Sequence, residues 1–243
     1  MSMFAKNNQG DTWNLAYLRM FGNKFYSDDG QLVIADANGK KALQWMVDNV
    51  NNSYTNPHPE SVTSNDCNAM FVNQRLAISF TNSILFGNIL NDMAAGNAPR
   101  FDARLANIPG DPRPLTFTYL TGSFVFDTND EIRIKGAKDF VNFYSSDEEL
   151  VRSSINGVPV RKSVAAAYAD QKPLFAAYDA NAQYMFNFTG NLPGYTELRQ
   201  TLYPELQAAF IGKKTAAQAL ANYQAAGNAV LREARADSVL LND

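Results

Sequence analysis

The 243-residue chain is 46% hydrophobic and 12% aromatic, with a formal net charge of −3. It is long and apolar enough to build one or two domains, and its charge excludes a general attraction to nucleic acid or anionic membrane. One cysteine, Cys67, and one histidine, His58, exclude an internal disulfide and a multi-cysteine zinc site. His58 lies between Pro57 and Pro59, in an extended loop rather than a catalytic setting. No segment reaches the roughly 18 apolar residues of a membrane helix. Residues 1–8 lack the long apolar stretch of a signal peptide, so the chain as written carries no export signal.

Asp11 or Thr12 caps a helix through Phe21, with Trp13, Tyr17 and Met20 on one face and Gly22 as its stop. Asp28-Asp29-Gly30 makes a turn, and Gln31–Ala35 reads as extended. A helix over Gly39–Val50 places Leu43, Met46, Val47 and Val50 at i, i+3, i+4 and i+7. After a polar loop at 51–63, Ser64–Asn73 is helical, with Met70 and Phe71 inward. Leu76–Phe80 is a short strand, broken by Thr81-Asn82-Ser83 before a helix at Ile84–Ala95. Arg104–Ile108 is another short strand, ended by Pro109-Gly110-Asp111-Pro112. The run Phe117–Phe126 is β-rich and interrupted at Gly122.

Ile134, Ala137, Phe140, Val141 and Tyr144 then share one helix face, and Ser146-x-x-Glu149 is a capping box for the next helix. Lys172–Tyr184 is an alanine-rich helix, Asn187–Tyr195 a loop, and Tyr203–Ile211 and Thr215–Ala236 are helices. Thr215-x-x-Gln218 is a second capping box. Few strands among many helices define an α/β, helix-rich fold with a small sheet.

The order of these motifs resembles the extracellular solute-binding proteins of carbohydrate ABC importers, the maltodextrin-binding-protein-like family. The resemblance rests on Phe25-Tyr26-Ser27-Asp28-Asp29-Gly30, Lys41-Ala42-Leu43, Phe71-x-x-x-Arg75-x-Ala77, Ala137-x-x-Phe140, Gly157-x-Pro159-x-Arg161, Pro193-Gly194-Tyr195 and Gly212-Lys213-Lys214-Thr215. Gln74 departs from that pattern, where a glycine is usual, and Ile84-Leu85-Phe86 replaces a turn that commonly carries a sugar-stacking tryptophan.

The resemblance implies a periplasmic-binding-protein-like fold of type II with most of the N-terminal lobe missing. Residues 1–117 and 171–243 would form the C-terminal lobe, and 118–170 a return segment belonging to the N-terminal lobe. It implies a non-enzymatic substrate-binding component with no cofactor. Its partners would be a carbohydrate and a membrane permease. Its location would be the cell envelope, either periplasmic or lipid-anchored outside the membrane.

A sugar site combines an aromatic ring on the apolar face of a pyranose with planar polar groups on its hydroxyls. Such groups belong on loops and helix starts facing a cleft. The candidates are Asp11, Trp13, Asn82, Ser83, Phe86, Tyr119, Gly122, Ser123 and Tyr195. Each has a plainer alternative: a core ring for Trp13, turn chemistry for Asn82 and Ser83, a strand bulge at Gly122, a surface ring for Tyr195. Two other functions stand beside the leading one. One is a remnant that self-associates through the return segment. The other is a glycoside-active enzyme fragment, for which Asp28 and Asp29 are the one conspicuous adjacent carboxylate pair outside helices. Neighbours in a turn rarely face each other across a sugar ring.

Overall fold

Asp36 starts the helix that organises the molecule. In this computed structural model, which describes residues 1–111, 113–117, 123–147, 162–167, 181–188 and 192–240, the Asp36 side chain accepts a 2.6 Å hydrogen bond from the Gly39 N–H. That cap satisfies one of the free donors of α2 (Ala37–Asn51). Leu43 and Met46 are fully buried on it, and Val47 and Val50 pack against the same core. Gly39 is required by space. A Cβ there would lie 1.9 Å from the Ile34 carbonyl oxygen.

Among the described residues the other helices are α1 (Asp11–Arg19), α3 (Ser64–Val72), α4 (Ser83–Ala95), α5 (Glu131–Ser146), α6 (Lys162–Ala167), α7 (Tyr195–Phe210) and α8 (Ala216–Leu240). Two strands, β1 (Thr116–Phe117) and β2 (Met185–Phe186), pair in parallel, with Thr116 opposite Met185 and Phe117 opposite Phe186. The second capping box closes reciprocally: the Gln218 N–H donates to Thr215 Oγ1 at 3.2 Å, and the Thr215 N–H donates to Gln218 Oε1 at 3.0 Å. The box at Glu149 and the helix read over Lys172–Tyr184 lie mostly outside the described residues, which show a 3-10 turn at Ala182–Tyr184.

The described chain divides into two compact units. The first holds Met1–Phe80, Phe101–Phe117 and Tyr184–Asp243; the second holds Thr81–Arg100 and Thr118–Gln183. In the first unit α7 and α8 form an antiparallel hairpin that packs on α2, and α1 packs on α2 and α7. Leu198, Leu202 and Leu206 of α7 meet Leu220 and Tyr223 of α8 in this core. Helix α7 starts eight residues earlier than the sequence predicts. Its first turns are held by burial of Leu198 and Leu202, and Pro204 is tolerated inside it.

Two predicted strands do not form as strands. Around Leu76–Phe80, the Ser2 N–H donates to the Ile78 carbonyl at 2.9 Å, but the Phe80 N–H is taken by the Ser2 hydroxyl. One ladder bond followed by a side-chain bond leaves an extended segment rather than a β-pair. Within Arg104–Ile108, Ile108 alone bridges, to Leu115. By contrast, the turn at Asp28–Gly30 forms as read. The Gly30 N–H reaches the Ser27 carbonyl, and Tyr26 bridges Leu32.

In the second unit, α4 buries Phe86, Ile89 and Met93. Helix α5 has the predicted amphipathic spacing yet no buried residue. Ile132 is 85% exposed, Phe140 64% and Phe143 54%. Phe124 and Phe126, just before it, are also exposed.

The Gly39 contact generates a test. Gly39→Ala should destabilise the first unit by about 3 kcal/mol, the upper range for overpacking against a fixed backbone atom. A urea melt reads it directly; a loss under 0.5 kcal/mol would contradict the packing described.

Candidate ligand-binding site

Two helix starts far apart in sequence meet in the first unit. Gly10 precedes α1 with φ of 75°, a left-handed conformation that glycine adopts without cost. The space is also closed, since a Cβ on Gly10 would lie 2.5 Å from the Trp13 ring and 2.8 Å from Phe4. Asp11 therefore opens the helix itself, where its negative charge favours the N-terminal dipole. Its carboxylate is only 2% exposed.

That carboxylate is held by Arg199 of α7. Arg199 Nε donates to Asp11 Oδ2 and Nη2 donates to Oδ1, both at 2.9 Å. Nη2 also donates to the Asn8 carbonyl at 3.1 Å. This is a bidentate fork, the strong form of the pair. It joins residues 188 apart in sequence.

Tyr195, half-buried, opens α7 after the left-handed Gly194. Behind it, the Tyr26 hydroxyl donates to the Phe188 carbonyl at 2.8 Å. Burial, and after it the charge of Asp11, raises the Tyr26 pKa. Burial also raises that of Tyr223, followed by the influence of Tyr26, Tyr195 and Asp11. Asp11, Tyr26, Tyr195 and Tyr223 thus form one electrostatic neighbourhood, in which burial keeps Tyr26 and Tyr223 neutral. On the solvent side lies a polar rim: Lys6, Asn7 and Gln9 are exposed, and the Gln9 N–H donates to Asn7 Oδ1 at 2.9 Å. Such a surface can hold hydroxyl groups.

The structure brings Asp11 and Tyr195 together. Trp13 is 6% exposed and packs edge-on against Phe4, with centroids 5.7 Å apart. Asn82 caps α4, accepting from the Leu85 N–H at 2.9 Å, with Ser83 the first residue of that helix. Phe86 is buried one turn on, and Ser123 is exposed. These four residues, Asn82, Ser83, Phe86 and Ser123, belong to the second unit. Tyr119 and Gly122 lie outside the described residues. Sequence reasoning missed Arg199 and the rim at residues 6–9. No local signal marks Arg199, because its partner is 188 residues away.

The first unit also holds a small pocket of about 60 Å³ beside the β1–β2 pair. Arg19, Asp111, Arg113 and Leu115 line one part of it, and Tyr184, Met185 and Phe186 the rest. Among the described residues no cluster of histidine, cysteine or carboxylate side chains could hold a metal. Burial pushes the Cys67 thiol up to about 12. No described helix is long and apolar enough to cross a membrane.

The family model for bacterial extracellular solute-binding proteins matches residues 3–183, most of the chain, and the chain belongs to that family. Comparison with curated proteins gives no match. The fold is similar to that of maltose-bound MalE3 of T. maritima, with a TM-score of 0.75 and 19% identity, over 95% of this chain and 60% of that one. A sugar transporter of Arthrobacter chlorophenolicus A6 with bound laminaribiose matches with a TM-score of 0.71 and 18% identity, over 94% of this chain and 60% of that one. An ABC transporter solute-binding protein of Thermotoga lettingae TMO, bound with α-D-tagatose, matches with a TM-score of 0.70 and 16% identity, over 95% of this chain and 59% of that one. At these identities the likeness establishes the fold, which is periplasmic-binding-protein-like. The chain spans about 60% of the length of these solved structures.

The Asp11–Arg199 fork predicts an asymmetry. Arg199→Ala leaves a buried carboxylate uncompensated and should cost about 3 kcal/mol. Asp11→Asn leaves a guanidinium that is one-third exposed, and should cost about 1 kcal/mol. The double variant should be more stable than the sum of the two losses implies, by denaturant unfolding. Equal and additive losses would contradict the clamp.

Proposed function

We propose that the chain is part of the substrate-binding component of an ABC sugar importer, and that the joined starts of α1 and α7 form one wall of its sugar site. Family membership is the observation that carries this reading. The three solved structures above, bound to maltose, laminaribiose and tagatose, support a carbohydrate as the ligand class. The site chemistry agrees with it. An exposed polar rim lies beside a half-buried tyrosine, and the buried Asp11 carboxylate is paired with Arg199.

In this reading Tyr195 offers a ring, and Asn7 and Gln9 offer amides. Asp11 and Trp13 shape the wall from beneath, since both are buried. Asn82, Ser83, Phe86, Tyr119, Gly122 and Ser123 are proposed contacts of the complete receptor. Capture would proceed by lobe closure, because a sugar that touches both lobes only in the closed form stabilises that form. The closed form would then dock on a membrane permease and deliver its sugar there. No catalytic step is part of this reading. Asp29, the best-placed acid of the Asp28–Asp29 pair, is exposed and is engaged within its own turn by Ser27 and Gln31.

We also propose that 118–170 is a return segment belonging to the N-terminal lobe, while 1–117 and 171–243 form the C-terminal lobe. The supporting observation is α5, an amphipathic helix with none of its residues buried. In this reading its apolar face packs within the N-terminal lobe. Self-association through that face is the alternative, and it appears as a doubled mass in solution.

Calorimetry with maltose, laminaribiose and tagatose tests the reading. One wall alone should bind with a Kd near the millimolar range, about −4 kcal/mol. Asn7→Ala with Gln9→Ala should weaken that binding at least fivefold and lower stability by no more than about 1 kcal/mol, since both side chains are exposed and only the Gln9 N–H bond to Asn7 Oδ1 is lost. Binding unchanged by this double variant would place the site elsewhere.

A further inference from the structure

Residues 6–9, the polar rim, belong to no helix or strand. Two separate elements nevertheless hold the backbone there. The Ala5 and Lys6 N–H groups donate to the Pro59 and Val62 carbonyls, at 2.7 and 3.1 Å. Helix α7 holds the carbonyls. Arg199 Nη2 donates to that of Asn8, and Gln207 Nε2 donates to that of Ala5 at 2.8 Å and that of Lys6 at 3.2 Å. Arg199 and Gln207 lie about 12 Å apart along α7, so the helix braces the segment at both of its ends.

The apolar packing of α7 is carried by Leu198, Leu202, Leu206, Ala209 and Phe210, and Gln207 is half-buried at its margin. The Gln207 amide has two N–H donors, and both are engaged on backbone carbonyls. Its bond to the Lys6 carbonyl is open to solvent, where water could satisfy the same acceptor. What the amide adds there is a fixed direction. A loop that samples many conformations binds with an affinity reduced by the fraction of time it spends in the competent one. A loop fixed beforehand avoids that loss.

We propose that Gln207 is a positioning residue of the sugar site: it grips the Ala5 and Lys6 carbonyls so that the Asn7 and Gln9 amides are set for sugar hydroxyls before the sugar arrives. This rests on the sugar-receptor reading of the rim. Gln207 acts through the backbone and not on the ligand, because its amide nitrogen has no donor left to offer. Only a donor at this position serves. An apolar side chain of similar length should release the rim, and a longer donor, such as a lysine ammonium, should hold it.

The test compares the 243-residue chain with Gln207→Met and Gln207→Lys, by calorimetry with maltose, laminaribiose and tagatose and by nitrogen-15 relaxation of the sugar-free proteins. Gln207→Met should weaken sugar binding about fivefold, and Gln207→Lys should bring it back to within about twofold of the unaltered chain. The heteronuclear NOE of the Asn7 and Asn8 amides should fall in Gln207→Met alone, with the amides of α2 and α8 unmoved. A Gln207→Met chain that binds as tightly as the unaltered one, or whose Asn7 and Asn8 amides stay as rigid, overturns the inference and leaves the sugar reading standing. A Gln207→Lys chain that binds as weakly as Gln207→Met also overturns it, because donation is then not what matters. Failure of the unaltered chain to bind any of the three sugars is a different result: it overturns the sugar reading, and reduces Gln207 to a structural brace.

Discussion

The Asp11–Arg199 fork is the constraint on which the first unit depends. It fixes the start of α1 against the start of α7, and α7 in turn fixes α8 and α2. A buried ion pair adds little net stability compared with well-packed apolar residues, but removal of one member leaves an unpaired charge in a poor solvent. Its effect is therefore geometric. With α1 and α7 held together, Gly10, Tyr195 and the rim at residues 6–9 share one surface.

Side chains replace much of the sheet that such a fold would otherwise need. Asn228 of α8 donates to the Leu32 carbonyl at 2.9 Å and accepts from the Leu32 N–H at 2.7 Å, as a neighbouring strand would. Gln224 accepts from the Ala35 N–H, and Asn56 from the Met3 N–H. The Tyr17 hydroxyl and the Asn14 amide donate to the Ser2 and Phe4 carbonyls. Buried backbone groups are thus satisfied by side-chain amides and hydroxyls, and among the described residues only β1 and β2 form a regular pair.

This explains what the sequence disclosed. Helices α2, α3 and α4 were legible because their apolar period and caps are local. Thr215 and Gln218 announced the start of α8 for the same reason. Leu76–Phe80 was misread because β-propensity cannot report that the Ser2 hydroxyl takes the Phe80 N–H. In α5 the amphipathic spacing was legible, but its cover was not, since the period says that a face is apolar and not what lies against it. Of the candidate site, Asp11 and Tyr195 could be selected as helix and loop positions. Arg199 could not, because a lone arginine in a polar stretch carries no mark of a partner at the other end of the chain.

The central claim is that the surface at the starts of α1 and α7 holds sugar. Heteronuclear NMR of the chain, titrated with a panel of mono- and oligosaccharides, tests it most directly. The account predicts shifts confined to Asn7, Gln9, Gly10 and Tyr195 and their neighbours, saturating in the millimolar range. A well-dispersed spectrum that does not move at tens of millimolar sugar would contradict it.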